Sequence, residues 1–446
     1  MIARLRLLFA TAVPIAIGQI GQMAMIIIDM YMVGKLGAAA IGGVGLGNGY
    51  FYVFGLFSAG MLFALDYYVS NAQGRGDQAE CHHWLWQGCW LSLFLSLTIM
   101  AVVLITIPPY LTANFPAAIA APAVEFVRPL ALCMPGFLVF ITFRQYLQST
   151  GSVTAGTVVT MVAIGLNTLF NWLLVFGSLG APKLGVAGAG LATSLTRTLM
   201  AAALVAYTFH RDRVREMGLA ASPKGLDPAA LWLLVKMGVP IGLMVALESG
   251  VFTVATSLIA QFGVASSAAH TIVLNVASFT YTIPTAIAGA AAVLVGQALG
   301  RGDLPEVRRM GWTSVGVGAV VMAITGALIG IFGHEVAGFF TTEAPVIELA
   351  GRLIVLVAIF QIADGVQSVG GGVLRGAGDT RSSMLANLVG YWAIGLPAAY
   401  FFGIKQGRGV MGFWMGLTVG LFSVAGMVLW RCVNRSKYLK EKLAHG

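Results

Sequence analysis

The stretch Gly74–Asp77 (GRGD) occurs a second time in this chain as Gly300–Asp303. A proline precedes each copy at the same spacing, Pro14 before Asp77 and Pro240 before Asp303. The same segments in the same order and at the same spacing indicate a duplicated chain with two halves of about 220 residues. Pseudo-symmetric membrane proteins built in this way commonly carry their working site between the repeats.

Two further pairs of segments support the duplication. Leu147–Gly151 (LQSTG) matches Leu374–Gly378 (LRGAG), and Gly185–Gly188 (GVAG) matches Gly409–Gly412 (GVMG). The offset between the members of each pair is nearly the same as that between the two GRGD copies. The repeat therefore extends over nearly the whole chain.

The composition is that of a membrane protein. The 446 residues are 58% hydrophobic and 10% charged, and the mean hydropathy is +0.87. A soluble domain carries about 25% charged residues. Apolar runs of about 18 or more residues recur along the chain, which predicts transmembrane helices. A transmembrane β-barrel is disfavoured because the runs are continuous rather than alternating.

The apolar runs predict an all-α polytopic membrane protein with twelve transmembrane helices in two pseudo-symmetric six-helix lobes. Because six is even, both halves enter the membrane from the same side, and the repeat is parallel. We expect an N-lobe at 1–215 (helices 1–6), a cytoplasmic linker at 216–231 and a C-lobe at 232–446 (helices 7–12). The predicted spans are about 7–33, 41–70, 84–108, 123–148, 155–178, 186–209, 232–262, 267–300, 310–333, 345–373, 382–403 and 409–431.

Lysine and arginine predict the orientation. Eighteen of them fall on one side of the predicted spans and four on the other, so the positive-inside rule places both termini in the cytoplasm of a multi-pass plasma (inner) membrane protein. The net charge of +9 then requires no nucleic-acid partner, only the lipid bilayer. The inner set is Arg4, Arg6, Arg75, Arg144, Arg211, Arg213, Arg215, Lys224, Arg301, Arg308, Arg309, Arg375, Arg381, Arg431, Arg435, Lys437, Lys440 and Lys442, and the outer set is Lys35, Lys183, Lys405 and Arg408.

The sequence offers little for an enzyme or a metalloprotein. Its four cysteines form no disulfide framework and no CxxC pair. Cys81–His83 with Cys89 matches no common zinc spacing and falls in a predicted short cytoplasmic loop. The spans contain no paired nucleophile and base, so we predict that the chain is not an enzyme and has no cofactor or metal beyond a possible Na⁺.

Three acids fall well inside predicted spans: Asp29, Glu248 and Asp364. An ionised group costs about 2.5 kcal/mol or more at that depth, so such a residue normally faces a partner or a cavity. The repeat does not duplicate them, which favours a function over a role in holding the fold. The alternative is an acid hydrogen-bonded between helices. Their repeat-equivalent positions are occupied by Ala255, Gln22 and Phe137, respectively.

Polar side chains accompany these acids in helical register. Gln22 precedes Asp29 by seven residues, and Gln361 and Gln367 lie three residues on either side of Asp364. Asn167 and Asn171 share a face of the fifth span, and Thr193 adds a hydroxyl in the sixth. Amide and hydroxyl oxygens can coordinate a hard cation or hydrogen-bond an acid. The alternative is that the asparagines only hold helices together.

Three further stretches have a recognisable pattern. They are Pro14, Gln22 and Asp29 with Met30–Gly34 (MYMVG), Ala268–His270 with Asn275 and Gly296–Gly300, and Asp364–Gln367 with Leu374–Thr380 (LRGAGDT). With these stretches the chain resembles the multidrug and toxin extrusion (MATE) family, in its NorM-like branch. The resemblance covers essentially the whole chain, and its most specific part is the LRGAGDT stretch that follows the tenth span.

The resemblance implies two lobes forming a V around a central cavity, and efflux of organic cations or amphiphilic drugs driven by inward H⁺ or Na⁺. It also implies a cation-coupling site in the N-lobe and a cation or substrate site in the C-lobe. Two residues depart from expectation, since Phe360 stands where some relatives are expected to have tyrosine and Asp66 is an additional acid. The implied N-lobe residues are Asp29, Asn167, Asn171 and Thr193, those of the C-lobe are Glu248 and Asp364, and the cavity-lining candidates are Gln22, Gln361, Phe360 and Asn275.

A flippase for lipid-linked oligosaccharides, from the related superfamily, is the alternative function. It would be expected to have about fourteen spans and basic residues facing a pyrophosphate, whereas Arg197 is the only base deep in a span here. Buried carboxyl groups can hold a proton near neutral pH, so a drug cation and H⁺ or Na⁺ could compete for one charge. We slightly favour H⁺, because carboxamides also hydrogen-bond a protonated acid. The expected partners are small organic cations or drugs, and the chain is expected to be a monomer.

Overall fold

The computed structural model describes the backbone of residues 1–444 and the side chains of residues 1–434. Four charges used above for orientation, Arg435, Lys437, Lys440 and Lys442, lie outside the described side chains. The helices are α1 (Ile2–Gly34), α2 (Ala38–Leu62), α3 (Leu65–Arg75), α4 (Gln78–Asn114), α5 (Ala117–Ala131), α6 (Cys133–Ser149), α7 (Val153–Phe176), α8 (Gly185–Arg215), α9 (Pro228–Ile259), α10 (Val264–Gly300), α11 (Leu304–Ile331), α12 (Gly333–Phe340), α13 (Ala344–Gly376), α14 (Thr380–Lys405) and α15 (Gly409–Ala444).

The prediction of twelve transmembrane helices is confirmed. Eleven helical segments of the described chain are long and apolar enough to cross a membrane, with α2 and α3 forming one of them. The twelfth is the pair α5 and α6, which passes the same test as a span bent by 49°. Among residues 1–444 the structure contains no β-strand, so the all-α class is confirmed as well.

The fourth span differs in detail from its prediction as one helix over 123–148. It is broken at Leu132, between the end of α5 and the start of α6. Pro135 explains the break, because a proline has no N–H to donate to the carbonyl four residues earlier and its ring clashes with that carbonyl. The carbonyl in question belongs to Ala131, the last residue of α5.

The predicted polar linker is shorter than expected and is bound to α4. The α8 helix continues to Arg215 and α9 begins at Pro228. Gln87 of α4 donates to the carbonyl of Gly225 at 2.8 Å and accepts from the backbone N–H of Asp227 at 3.0 Å. The loop predicted around Cys81–His83 is also wrong, since these residues lie in the first turns of α4.

The chain forms two compact units, each with its own apolar core. One comprises Ile17–Gly242, and the other comprises Met1–Ala16 together with Leu243–Gly446. The division cuts α1 after Ala16 and α9 after Gly242, which are equivalent positions in the sequence repeat. The predicted lobes at 1–215 and 232–446 rest on that repeat and remain a prediction.

Close packing in the unit that contains the C-terminal half depends on glycine. The α13 helix packs against α10, α11 and α15. Gly372 and Gly376 of α13 lie against the backbone of Ala288 and Ala292 in α10, where a Cβ atom would have no room. Such small-residue contacts let helix backbones approach closely in a membrane, where dispersion replaces the hydrophobic driving force.

The α14 helix is widened in two places. Leu388–Gly395 and Phe401–Lys405 adopt π-helical turns on either side of a short α-helical stretch. Pro397 lies just after the first of them and cannot donate a backbone hydrogen bond, which removes a bond from the ordinary helical ladder. The indole N–H of Trp392, within the first widened segment, donates to the carbonyl of Leu247 in α9 at 3.1 Å.

Candidate functional site

Asp29 is the centre of a buried polar cluster in the Ile17–Gly242 unit. Its side chain is 7% exposed. The amide N–H of Asn171 donates to Asp29 Oδ1 at 2.7 Å, and the hydroxyl of Thr193 lies 3.0 Å from Asp29 Oδ2. Asn167 is the fourth member, and its side chain also interacts with the carboxyl group. We call these four residues the Asp29 cluster.

The cluster leaves two amide oxygens without a partner. Asn171 uses both of its N–H donors, one on Asp29 and one on the carbonyl of Asn167 at 2.9 Å. The Oδ1 atoms of Asn167 and Asn171 are buried and accept no hydrogen bond among the described residues. A buried acceptor without a partner costs about 1–3 kcal/mol, so such atoms usually serve a water, an ion or a ligand.

The hydroxyl of Thr193 can take two roles. Its oxygen lies 3.0 Å from Asp29 Oδ2 and 3.1 Å from the carbonyl of Ala189. A hydroxyl has one proton and two lone pairs, so it can donate to an ionised Asp29 or donate to Ala189 and accept from a protonated Asp29. The cluster can therefore satisfy either protonation state of the acid without moving a helix.

The surrounding helices explain why these side chains meet. Asn167 and Asn171 are four residues apart on α7 and share a face, and α7 packs against α8, which carries Thr193. On α1, Gly18 and Gly21 lie against Thr157 and the Thr160–Met161 segment of α7. The small glycines bring α1 close to α7, and this proximity lets the short side chain of Asp29 reach both helices.

The sequence did not predict a cation–π contact that lies next to the Asp29 cluster. The Arg197 guanidinium, one turn after Thr193 on α8, lies 4.3 Å from the ring centroid of Phe137. Its Nη1 is 3.8 Å from the Cys133 sulfur, and it interacts electrostatically with Asp29. In the sequence, Arg197 stands out as the only base deep in a span. Its spacing of four residues from Thr193 could have indicated that it lies on the same helix face, near the Asp29 cluster.

The acids of the second half form another cluster, within the unit that contains Leu243–Gly446. Gln367 Nε2 donates to Glu248 Oε1 at 3.2 Å. Glu248 also interacts with the Tyr281 side chain and, electrostatically, with Asp364, which is 5% exposed. We call Glu248, Tyr281, Asp364 and Gln367 the Glu248 cluster. Tyr281 was not predicted, and its position in α10 gave no local signal because Glu248 lies on a different span, α9.

The cavity-lining candidates lie in different environments. Gln361 and Phe360 are buried at 1% and 3% exposure, Gln22 is half-buried and Asn275 is exposed. Both polar atoms of the Gln361 amide lack a hydrogen-bond partner among the described residues. Phe360 is in edge contact with Trp414, at 5.8 Å between ring centroids. Where a tyrosine was expected, the structure therefore has an aromatic residue packed in the core.

His270, quoted above for the family resemblance, is fixed between two side chains. The Trp414 indole N–H donates to His270 Nδ1 at 3.2 Å, and His270 Nε2 lies 2.8 Å from the Thr256 hydroxyl. Because the indole can only donate, Nδ1 must accept and the ring proton is on Nε2. A neutral histidine in this tautomer ties α9, α10 and α15 together.

Asp66, the additional acid, is fully buried and has a local partner. Gln145 Nε2 of α6 donates to Asp66 Oδ1 at 2.5 Å, and the nearby Arg144 interacts electrostatically with the acid. From the sequence, Asp66 stands out only as an additional acid without an assigned role. Its 1% exposure favours a role in joining α3 to α6.

Comparison with known proteins gives one consistent result. The MatE family model matches residues 14–173 and, a second time, residues 240–401. The two matched segments begin at Pro14 and Pro240, the prolines that precede the two GRGD copies. A probable multidrug resistance protein NorM from Burkholderia mallei is 35% identical over 96% of this chain and 92% of its own length.

Solved structures show the same fold. The crystal structure of a MATE protein in the straight conformation superposes with a TM-score of 0.89 at 18% identity, over 98% of this chain and 96% of that chain. The eukaryotic MATE transporter AtDTX14 superposes with a TM-score of 0.86 at 19% identity, over 99% of both chains.

Proposed function

Because the chain belongs to the MatE family and is a transporter rather than an enzyme, we propose that it works as a secondary active antiporter of the NorM type. It exports organic cations or amphiphilic drugs in exchange for H⁺ or Na⁺ moving inward. The naming of its relatives as multidrug resistance proteins supports a drug substrate.

The observation that carries this proposal is the Asp29 cluster. It offers one negative charge, the hydroxyl of Thr193 and two unpartnered amide oxygens within a buried site. Oxygen ligands of this kind suit a small hard cation, and the same acid can bind a proton. A single buried charge that a coupling ion and an organic cation both require is sufficient for exchange, if binding of one releases the other.

Between the two ions we propose H⁺. The Thr193 hydroxyl can reverse its role as Asp29 gains a proton, so the protonated and ionised states both keep their hydrogen bonds. The unpartnered oxygens of Asn167 and Asn171 then remain available for water or for the substrate. In the other half, we propose that the Glu248 cluster binds substrate or a second cation. Its two neighbouring carboxyl groups do not ionise independently, so binding of a cation would change the protonation of the pair.

We propose that both termini are cytoplasmic, that the membrane is the inner membrane and that a monomer suffices for transport. The excess of arginine and lysine on one side of the spans supports the orientation. Tags at the two ends should be accessible from the cytoplasm alone, and a C-terminal tag reached from outside would contradict both the orientation and the parallel repeat.

Reconstitution tests the proposal directly. The purified chain is placed in liposomes loaded with a fluorescent organic cation, and transport is measured under a pH gradient at equal sodium and under a sodium gradient at equal pH. We expect movement under the pH gradient alone. A response to sodium alone would overturn the assignment of H⁺, and no response to either gradient would overturn the antiport.

A further inference from the structure

A basic cavity lies where α1 and α11 begin, away from both acidic clusters. Its volume is about 470 Å³, and its lining includes Arg4, Leu304, Pro305, Arg308, Arg309 and Trp312. All of these residues belong to the unit that contains Met1–Ala16 and Leu243–Gly446. The α11 residues repeat at a spacing of four, so they form one face of that helix.

The cavity carries two positive charges that the protein does not neutralise. Arg4 is paired with Glu306, from Nε to Oε1 at 2.8 Å and from Nη2 to Oε2 at 2.9 Å. Arg308 and Arg309 are both exposed, and within the part of the chain that the structure describes neither makes a hydrogen bond or an ion pair. Nearby, the charges of Arg301 and Asp303 offset each other, so an excess of at least two positive charges remains.

The position of these arginines is that of a membrane boundary. They lie in the first two turns of a 28-residue apolar helix, and Trp312 follows Arg308 by one turn on the same face. Trp312 is 42% exposed. Exposed tryptophan at the end of a spanning helix is typical of the interface between headgroups and acyl chains, and arginine there extends its charge towards the headgroups.

We propose that this cavity binds the headgroup of an anionic phospholipid. The planar guanidinium groups of Arg308 and Arg309 are suited to hydrogen-bond phosphate oxygens in pairs. Leu304, Pro305 and Trp312 supply an apolar wall for the glycerol and the first acyl carbons. Basic pockets between spanning helices bind such headgroups in general, and the apolar wall favours a lipid over a free phosphate ion.

The Arg4–Glu306 pair gives the site its shape. It bridges α1 to α11 at the edge of the cavity. It also neutralises the charge of Glu306, which would otherwise repel a phosphate. The lipid would therefore lie across the start of both helices, with its phosphate over Arg308 and Arg309.

Native mass spectrometry of the purified full chain in detergent tests the proposal. The protein is titrated with phosphatidylglycerol, with zwitterionic phosphatidylcholine and with glycerol phosphate. We expect phosphatidylglycerol to bind with the highest affinity. Arg308→Gln combined with Arg309→Gln should weaken it about 30-fold, since each basic residue near a membrane surface contributes about fivefold.

Arg213→Gln is the matched control, because it removes the same charge from an exposed side chain that does not line the cavity. It should leave the affinity unchanged. Arg308→Lys combined with Arg309→Lys keeps the charge but loses the paired hydrogen bonds, and should fall between the wild type and the glutamine variant. Equal affinity of the glutamine variant and the wild type would overturn the site, and full competition by glycerol phosphate would overturn the assignment to a lipid.

Discussion

Replacement of Asp29 by asparagine should abolish transport and leave the fold intact. The amide has the shape of the carboxyl group but can neither carry its charge nor exchange a proton at neutral pH. If the charge of Asp29 is what the coupling ion and the substrate share, neither can displace the other in the variant. A purely structural Asp29 would instead make the variant less stable and leave its residual transport coupled.

The hydrogen bonds of the cluster set the expected change in stability. The introduced amide can keep its oxygen towards Asn171 and point its N–H towards Thr193, whose hydroxyl then donates to Ala189 at 3.1 Å. Each of the two bonds changes from charge-assisted to neutral, a loss of about 1 kcal/mol per bond. Burying a neutral amide costs less than burying a carboxylate, so the free energy of unfolding should fall by less than about 2 kcal/mol.

The assay is gradient-driven movement of a fluorescent cation in liposomes, together with thermal unfolding in detergent. We expect the Asp29→Asn rate to equal that of protein-free liposomes, with a melting temperature close to that of the wild type. Glu125→Gln is the control, because Glu125 is an exposed acid outside both clusters. Transport near the wild-type rate in the Asp29 variant would refute the reasoning.

Three further substitutions test other contacts. Asn171→Ala removes one neutral partner of the acid and should slow gradient-driven efflux less than loss of the charge does. Trp414→Phe leaves His270 Nδ1 without its donor and shrinks a fully buried side chain, so it should lower the free energy of unfolding by about 2 kcal/mol or more, measured by denaturation in mixed micelles. Gly376→Val should cost about 1–3 kcal/mol by overpacking; Gly371→Ala, where a Cβ atom meets no neighbour within 4 Å, should be neutral or stabilising. Equal effects of the two glycine substitutions would contradict the close contact.

The sequence marks the members of the Asp29 cluster one by one, whereas their grouping into one site is what the family resemblance implies. An acid in an apolar span costs free energy, and two asparagines four residues apart must share a helix face. What the sequence could not supply is the pairing of atoms. That Asn171 donates while its oxygen remains unpartnered depends on the distance between α1 and α7, which the glycines of α1 determine through packing.

Other features could not be predicted because they depend on contacts between residues that are distant in sequence. Tyr281 reaches Glu248, and Gln145 reaches Asp66, only because separate helices pack together, and neither pair has a fixed spacing in sequence. The break in the fourth span had a local signal in Pro135, but a proline in a membrane helix is often accommodated by a kink without a break. Whether Pro135 kinks the fourth span or breaks it therefore depends on the surrounding helices and not on the proline alone.

The ion pair between Arg4 and Glu306 joins residues that are 302 positions apart. A ribosome adds about 5–20 residues per second, so the arginine waits about 15–60 s for its partner after its own synthesis. By contrast, all residues of the Ile17–Gly242 unit have been synthesised well before α11. During biosynthesis, the unit that includes the first residues of the chain is therefore the last that can be completed.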